Sequence, residues 1–201
     1  YAQNYYIYKQ DNGQFNPILW DLNQSFASYR LTDASDYFNG FTIDQAKQMD
    51  PLLHHNSVSV YPRPLMRNLF KNDRYRKMYL AHIKTITEEN FASGLYKDRA
   101  TSLQSAIDAS VLADTNKFYS YADFLDNKDK TVSDLIDYPG ITDLMDDRTT
   151  YLQAYTGYKG APIISVPTHK LTSDNLFINA EVSGASDVIL AYRDNDFQLF
   201  N

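Results

Sequence analysis

Two short runs of β-forming residues open the chain, and a turn separates them. Residues 5–8 (Tyr-Tyr-Ile-Tyr) favour a strand, and residues 15–20 favour a second one. The intervening residues 11–13 (Asp-Asn-Gly) are typical of a tight turn, because Asn and Gly adopt a positive φ at low cost. Pro17 lacks an amide hydrogen, so the second strand should be bulged or lie at an edge. The pattern predicts a β-hairpin in which Trp20, the only tryptophan, is largely buried.

Residues 24–61 are mostly irregular, and from Pro64 to about residue 155 apolar residues recur with a helical period. Helices are predicted over Thr42 to Met49 with Thr42 and Gln45 as a capping box, around Leu65 and Leu69, from Asn72-Asp73 through Ile86, from Ser93 to Asp123, and from Ile141 to Tyr155. The long fourth helix is expected to start at Ser93 or at Asp98. Its spacing predicts four residues that face the core: Leu95, Leu103, Ile107 and Val111.

The period changes from 3.6 to 2 at Pro162. Three strands are predicted, with apolar positions at Ile163, Ile164 and Val166, then Leu176, Ile178, Ala180 and Val182, then Val188, Leu190 and Tyr192. Three strands without a second sheet make a poor domain. We therefore expect an α+β chain with a first domain at residues 1–160, and with residues 161–201 forming the first strands of a truncated, Ig-like β-sandwich.

Composition narrows the classes of function. The net charge is −6, which argues against nucleic acid as the main partner. There is no cysteine, so disulfides and thiolate metal sites are excluded. No apolar run reaches the length of a membrane span. Aromatic residues are abundant, with 17 tyrosines and 11 phenylalanines. A tyrosine-rich surface suits a secreted protein that binds polymers or sugars, but a tyrosine more often serves as core with a polar tip.

One pair of polar residues flanks the predicted hairpin. Asn4 precedes its first strand and Asp21 follows its second, and these two ends of an antiparallel pair lie side by side. An amide oxygen and a carboxylate together are suitable ligands for Mg²⁺ or Mn²⁺. The more common role of such residues is to form plain turns, and spacing alone does not choose between the two.

Other polar groups have simpler explanations. His54 and His55 are expected in a solvated loop rather than as a ligand pair, since neighbours on an extended chain point to opposite sides. Asp143, Asp146 and Asp147 are expected to stabilise a helix N-terminus. Four arginines are expected on the solvent-exposed faces of amphipathic helices and not around a bound phosphate: Arg63, Arg67, Arg74 and Arg76. Ser25 has no nearby histidine that would complete a hydrolase triad.

Two blocks resemble the CotH (spore coat protein H) kinase family. Residues 4–8 (Asn-Tyr-Tyr-Ile-Tyr) and 15–26 (Phe-Asn-Pro-Ile-Leu-Trp-Asp-Leu-Asn-Gln-Ser-Phe) are similar to its paired strands, which a Gly-containing turn separates. Residues 63–69 and 73–80 are similar to its helical signature, in which Pro-Leu precedes a helix and Tyr-Arg-x-x-Tyr-Leu opens the next. The likeness covers roughly residues 4 to 125 and is closer to Bacteroidetes members than to those of spore-formers.

The resemblance implies the mostly helical C-terminal lobe of an atypical protein-kinase-like fold. Such proteins transfer phosphate from ATP to serines of surface or extracellular proteins with a divalent metal, Mg²⁺ or Mn²⁺. By this resemblance Asp21 binds the metal and Asn4 is the catalytic-loop asparagine, so both contribute to the cofactor site. Asn23 replaces a second Asp found in many members, which lowers the local negative charge.

The resemblance also sets an expectation for the rest of the protein. The catalytic Asp is expected upstream of Tyr1, so no catalytic residue is expected within this fragment, which should be inactive alone. An extracellular or cell-surface location, with a protein substrate or an extracellular polymer as partner, is implied. The alternative is a catalytically silent surface or adhesion module on the same scaffold, favoured by the Tyr-rich composition, the β-segment and Asn23.

Overall fold

The computed structural model describes residues 6–20, 22, 25–30, 40–56, 63–134 and 136–190. It divides the chain into two compact units with the boundary between Tyr155 and Thr156. In the described part of the chain, every buried apolar residue belongs to the first unit. The second unit consists mainly of a long hairpin.

The first unit combines helices with two small antiparallel sheets, as expected for an α+β chain. Its helices are α1 (Ile43–Lys47), α2 (Leu53–Asn56), α3 (Pro64–Lys71), α4 (Asp73–Ile86), α5 (Leu95–Ala113), α6 (Tyr121–Asp126) and α7 (Ile141–Gln153). Its strands are β1 (Tyr6–Lys9), β2 (Phe15–Ile18), β3 (Val132–Ser133) and β4 (Asp137–Tyr138). A π-helical turn, Thr87–Ala92, joins α4 to α5. None of the helices in the described ranges is both long and apolar enough to cross a bilayer.

The predicted hairpin is present, with β1 antiparallel to β2. Tyr6 pairs with Ile18, and the 11–13 turn closes through a hydrogen bond from the amide of Gly13 to the carbonyl of Gln10, 2.9 Å. The prediction that Trp20 is largely buried is wrong, because 51% of this residue is exposed. Its ring meets the Tyr6 ring edge-on at 5.6 Å, so it rests on the hairpin and not inside a core.

Two of the predicted helix starts are confirmed in atomic detail. Thr42 and Gln45 form the expected reciprocal capping box at α1. Asn72 caps α4 by accepting a hydrogen bond from the amide of Arg74 at 3.0 Å. The start of α5 is different from either prediction. Gly94 is its N-cap with φ at +81°, a conformation that glycine adopts without steric cost.

The predicted helix from Ser93 to Asp123 is two helices. The backbone leaves the helix at Asp114, whose carboxylate accepts a hydrogen bond from the amide of Asn116 at 2.8 Å. Such a local bond competes with the helical ladder and favours a turn. A capping box between Ser120 and Asp123 then starts α6. The apolar periodicity crosses this break, which is why it suggested one continuous helix.

The core of the first unit lies around α7. Leu144, Met145 and Leu152 of α7 are buried, together with Phe70 of α3 and Leu80 of α4. The prediction that α5 turns its apolar residues into this core is wrong for three of the four: Leu95, Leu103 and Ile107 are between 50% and 60% exposed. Because α5 packs mainly on the π-helical turn and α6, its remaining apolar face lines an open groove.

The second unit begins with a 3₁₀ turn, Thr156–Tyr158, and continues as β5 (Ile163–Leu171) paired antiparallel with β6 (Leu176–Ser183). The predicted alternation holds, since the positions 176, 178, 180 and 182 share one face. A third strand at Val188 and Leu190 is not formed, because neither residue pairs with a described strand after the Gly184 turn. The third predicted position, Tyr192, lies outside the described residues.

Candidate functional site

The hairpin brings the start of β1 next to the end of β2. Tyr6 is opposite Ile18, and the Tyr6 and Trp20 rings are in contact beyond this pair. The two residues proposed as metal ligands, Asn4 and Asp21, lie outside the described residues. Their relation to one another, and the role of each, therefore remain predictions.

Strained backbone follows this end of the hairpin. Phe26 has φ at +53° and Ala27 has φ at +57°, both in the left-handed region. For residues with a side chain this region costs about 1–2 kcal/mol each, and strain of this kind concentrates at functional sites. Nothing in the residue types at positions 26 and 27 favours this conformation, so it could not be predicted from the residue pattern.

Arg30 holds this segment in place by binding three backbone carbonyls. Its guanidinium donates hydrogen bonds of 2.8 Å to the carbonyls of Ala27, Phe41 and Asp137. Burial lowers the pKa of Arg30, while the neighbouring Asp137 opposes this effect. The segment after the hairpin is thereby fixed to β4, which is more than 100 residues away along the chain.

A groove of about 720 Å³ opens beside the strained segment. Phe26 contributes to its lining, and the apolar face of α5 supplies much of the remainder through Leu95, Leu103 and Ile107. Arg99 of α5 also lines it and is exposed. The groove is thus mainly apolar, with the cations of Arg99 and Lys128 in its lining. The periodicity of α5 had instead predicted that these apolar residues belong to the core.

A second cavity, of about 480 Å³, is rich in aromatic rings. Phe118 is 99% exposed at its edge, and Tyr119 and Tyr138 meet with ring centroids 5.4 Å apart. The neighbouring Tyr138 hydroxyl and, to a smaller extent, burial raise the pKa of Tyr119 to about 12. The cavity combines ring faces with hydroxyl groups, which is the chemistry of a site for a ligand that is partly apolar and partly polar.

The two histidines do not occupy a solvated loop. Both belong to the single helical turn α2, and the His55 ring packs edge-on against the buried Phe70 at 6.2 Å. The solvated-loop prediction is therefore wrong for His55, which is half-buried by this contact. No cluster of three or more residues able to bind a metal occurs within the described ranges.

The prediction that three aspartates stabilise the N-terminus of α7 holds only for Asp143, which lies in the first turn, and is wrong for Asp146 and Asp147, which lie beyond it. Asp143 also binds Lys47 of α1 at 3.2 Å. Asp146 accepts hydrogen bonds of 2.7 Å from Lys97 and from the Tyr96 hydroxyl. Burial opposes ionisation of Asp146, but these two bonds outweigh it and lower its pKa. The aspartates thus connect α7 to α1 and α5.

Comparison with known proteins identifies a family. No curated protein and no solved structure matches the chain. A family model described as CotH kinase protein matches residues 1–155, and this range ends at the boundary of the first structural unit. The match covers more than three quarters of the 201 residues. The chain therefore belongs to the kinase-like CotH family.

Proposed function

We propose that the protein transfers phosphate from ATP to serines of surface or extracellular proteins in a metal-dependent reaction. The observation that carries this proposal is the family match over residues 1–155. An N-terminal hairpin followed by a helical body, as the kinase resemblance implies, supports it. The same resemblance supports a location outside the cell or at its surface.

In this proposal Asn4 and Asp21 hold Mg²⁺ or Mn²⁺ together with the phosphates of ATP. The metal would neutralise charge that spreads over the phosphate oxygens. The paired ends of β1 and β2 support this assignment, because they bring the segments next to Asn4 and Asp21 towards the same end of the hairpin. The strained backbone at Phe26 and Ala27 is a second supporting feature.

The test is phosphoryl transfer by the whole gene product that carries this chain, assayed with ATP and Mn²⁺ or Mg²⁺. Asp21→Asn should abolish autophosphorylation and metal-dependent nucleotide binding while the melting temperature stays almost constant. If Asp21 only caps a turn, Asp21→Asn should be almost silent in both assays, because Asn caps nearly as well as Asp.

Asp11→Asn is the matched control, since it makes the same chemical change in the exposed turn at the other end of the hairpin. It should leave both activities intact. Full kinase activity in the Asp21→Asn protein would remove the metal-ligand assignment.

The second candidate function is a catalytically silent surface or adhesion module that binds an extracellular polymer. The aromatic cavity around Phe118, Tyr119 and Tyr138 favours it, because exposed rings beside hydroxyl groups offer both contact area and hydrogen bonds to a bound ligand. Residues 161–201, as the first strands of an Ig-like domain after a kinase-like domain at 1–160, would extend such a module. Retained polymer binding in a gene product that lacks nucleotide binding would favour this candidate.

A further inference from the structure

The aromatic cavity, of about 480 Å³, is lined by the loop that joins α5 to α6 and by the small β3–β4 sheet. Three aromatic residues form much of its wall: Phe118, Tyr119 and Tyr138. Its volume is in the range of small-molecule sites, roughly 300–1,000 Å³. The described residues that line it belong to the first unit, and the phosphoryl transfer proposed at the hairpin uses none of them.

Short-range hydrogen bonds fix the loop between α5 and α6 at both ends. At its start, the amide of Asn116 donates to the Asp114 carboxylate at 2.8 Å, and the Lys117 ammonium donates to the Asp114 carbonyl at 2.6 Å. At its end, Ser120 donates its amide and its hydroxyl to the Asp123 carboxylate, at 2.9 and 2.6 Å. The two aromatic residues between these ends are therefore presented in a defined place.

The rings of the cavity offer their faces to a ligand. Phe118 is 99% exposed, so its ring adds nothing to the core. The Tyr119 and Tyr138 rings meet at an angle of 71° and form two walls of the cavity. The face of an aromatic ring carries negative charge density, which attracts C–H groups with a partial positive charge. The rings therefore favour a ligand that has a flat surface of C–H groups.

Polar groups beside the rings have hydrogen-bonding capacity to spare. Both bonds that Asp123 accepts from Ser120 side-chain and backbone donors end on Oδ2, so Oδ1 has no partner among the described residues. The Ser28 hydroxyl also forms no hydrogen bond with a described residue. The Lys117 ammonium has three hydrogens and donates one of them to Asp114. A ligand that displaces water from these groups must supply donors and acceptors in its place.

The charges in the lining select against a charged ligand. Lys117 and Asp123 both line the cavity, and the bonds from Ser120 lower the pKa of Asp123, so its carboxylate is ionised at neutral pH. Lys117 would repel a cation that the rings alone would attract, and Asp123 would repel an anion. A wholly apolar ligand would leave the polar groups without partners. These conditions together require a neutral ligand with an apolar face and a rim of hydroxyl groups.

We propose that the aromatic cavity binds a neutral saccharide, with a pyranose ring stacked on Phe118 and hydroxyl groups bonded to Asp123, Ser28 and Lys117. Pyranoses of the glucose and N-acetylglucosamine type carry C–H groups on the faces of the ring and hydroxyl groups at its rim, which matches both parts of the lining. The proposal names the ligand class of the second candidate function, on which it rests, and it does not depend on phosphoryl transfer.

The observations favour a saccharide over a proline-rich peptide, the other ligand that aromatic-lined sites bind. Proline has no backbone N–H, so a proline-rich segment offers mainly carbonyl acceptors. Such a segment would give the free Oδ1 of Asp123 no donor. A sugar hydroxyl both donates and accepts, so it serves the carboxylate of Asp123 and the ammonium of Lys117 equally well.

The test is titration of the isotope-labelled full chain with cellotetraose and with chitotetraose, in the absence of ATP and metal, followed by nuclear magnetic resonance. We expect at least one of these neutral sugars to shift the amide signals of residues 117–120 and 138. Saturation transferred from the protein should be strongest at the C–H protons of the sugar ring, because these protons face the aromatic rings. Amide signals that neither sugar shifts at about 10 mM, above a weak dissociation constant, would overturn the proposal.

Phe118→Ala should lower the affinity for the sugar by about tenfold, because the stacking surface is lost. The fold should survive, since this side chain is fully exposed. Phe15→Ala is the matched control, because it makes the same change at a residue that is 64% exposed and lies outside the cavity. It should retain the affinity, and equal losses in both variants would overturn the proposal. Should Phe118→Ala fail to fold, the amide shifts of the unmodified chain decide.

Asp123→Asn separates hydrogen bonding by the carboxylate from stacking. The variant keeps a side-chain oxygen that can accept from Ser120, so α6 should keep its cap. It removes the charge, and hydrogen bonds to an ionised acceptor are stronger than those to a neutral one. The affinity for the sugar should therefore fall severalfold, and an affinity equal to that of the wild type would overturn the proposal.

Further probes separate the competing ligands: choline as a cation, tetragalacturonate as an anionic sugar, and a peptide of repeated Pro-Pro-Leu units. Choline or the peptide shifting these amides where the neutral sugars do not would overturn the proposal. Tetragalacturonate binding as tightly as the neutral sugars would also overturn it, because the lining would then not select by charge. Absence of sugar binding would leave the phosphoryl-transfer proposal untouched, and absence of phosphoryl transfer would leave the sugar result untouched, so the two failures are distinguishable.

Discussion

At the residue scale, single cations connect distant parts of the first unit by binding backbone oxygens. Arg148 of α7 donates hydrogen bonds to the carbonyls of Lys47 and Met49. Tyr155 donates to the Asp50 carboxylate at 2.8 Å, so the segment between α1 and α2 is bound at two points. Each of these contacts joins residues about 100 positions apart, and each therefore depends on the complete tertiary fold.

Lys47 provides the residue-scale prediction. Its ammonium lies 2.9 Å from the Asp147 carboxylate and 3.2 Å from that of Asp143, and its side chain is only 12% exposed. Lys47→Gln should lower the free energy of unfolding by about 1 kcal/mol at neutral pH, a modest value because both carboxylates remain solvated. Lys130→Gln, in which a highly exposed lysine is changed, is the control and should cost less than about 0.5 kcal/mol.

The pH dependence of this effect has a definite sign. A hydrogen bond to Asp147 raises the pKa of Lys47; burial opposes the shift, and Asp143 adds to it. A raised lysine pKa contributes stability that is complete below the unfolded value of about 10.4 and is lost as the pH rises through the folded value. Urea unfolding at neutral pH and at about pH 11 should therefore show a smaller difference between wild type and Lys47→Gln at the higher pH. A difference that does not change would mean that Lys47 acts by packing.

At the element scale, the residue that begins α7 limits how closely this helix approaches the turn after α6. Gly140 is the N-cap of α7 and is buried against the turn that follows α6. A Cβ at this position would lie 2.5 Å from the backbone nitrogen of Lys130 and 2.6 Å from the carbonyl carbon of Asp129. Both are backbone atoms, so the turn itself would have to move.

We therefore expect Gly140→Ala to lower the free energy of unfolding by about 2–3 kcal/mol, in the range of overpacked sites. Chemical denaturation followed by circular dichroism measures it. Gly13→Ala is the control, because a Cβ there meets nothing within 4 Å and only its positive φ of +89° is unfavourable, at about 1 kcal/mol. If the two variants lost equal stability, the close approach of α7 to the turn would be contradicted.

At the scale of the whole molecule, the two units differ in how much they bury. The first contains all the buried apolar residues of the described chain, including Leu52, Phe70 and Leu144. The β5–β6 hairpin of the second unit leaves Ile164, Leu171 and other apolar residues exposed. An isolated two-stranded hairpin is only marginally stable in water.

Truncation after Tyr155 should accordingly leave the main thermal transition almost unchanged, because the core it reports lies in the first unit. Differential scanning calorimetry of the truncated and complete chains checks this. In the complete chain, amides of β5 and β6 should exchange with solvent much faster than those of α7. A large drop in the melting temperature on truncation would show that the second unit stabilises the first.

The sequence by itself determined the local features of the fold. The hairpin, the capping box at Thr42 and the cap at Asn72 were all predictable, because each depends on residues within a few positions of one another. The alternation along β6 was predictable for the same reason. The two blocks of family resemblance also lie within short segments, and the family match over residues 1–155 agrees with them.

Only the tertiary structure decided which apolar faces are covered. The period of α5 is that of a core helix, yet Leu103 is 60% exposed, since its apolar face lines an open groove. Sequence patterns likewise did not predict three other features: the exposure of Trp20, the left-handed backbone at Phe26 and Ala27, and the hydrogen bonds from Arg30 to distant carbonyls. Periodicity shows which side of an element is apolar, but burial depends on a partner that is distant in the chain. Packing of the whole molecule, and not local propensity, determines which element covers a given apolar face.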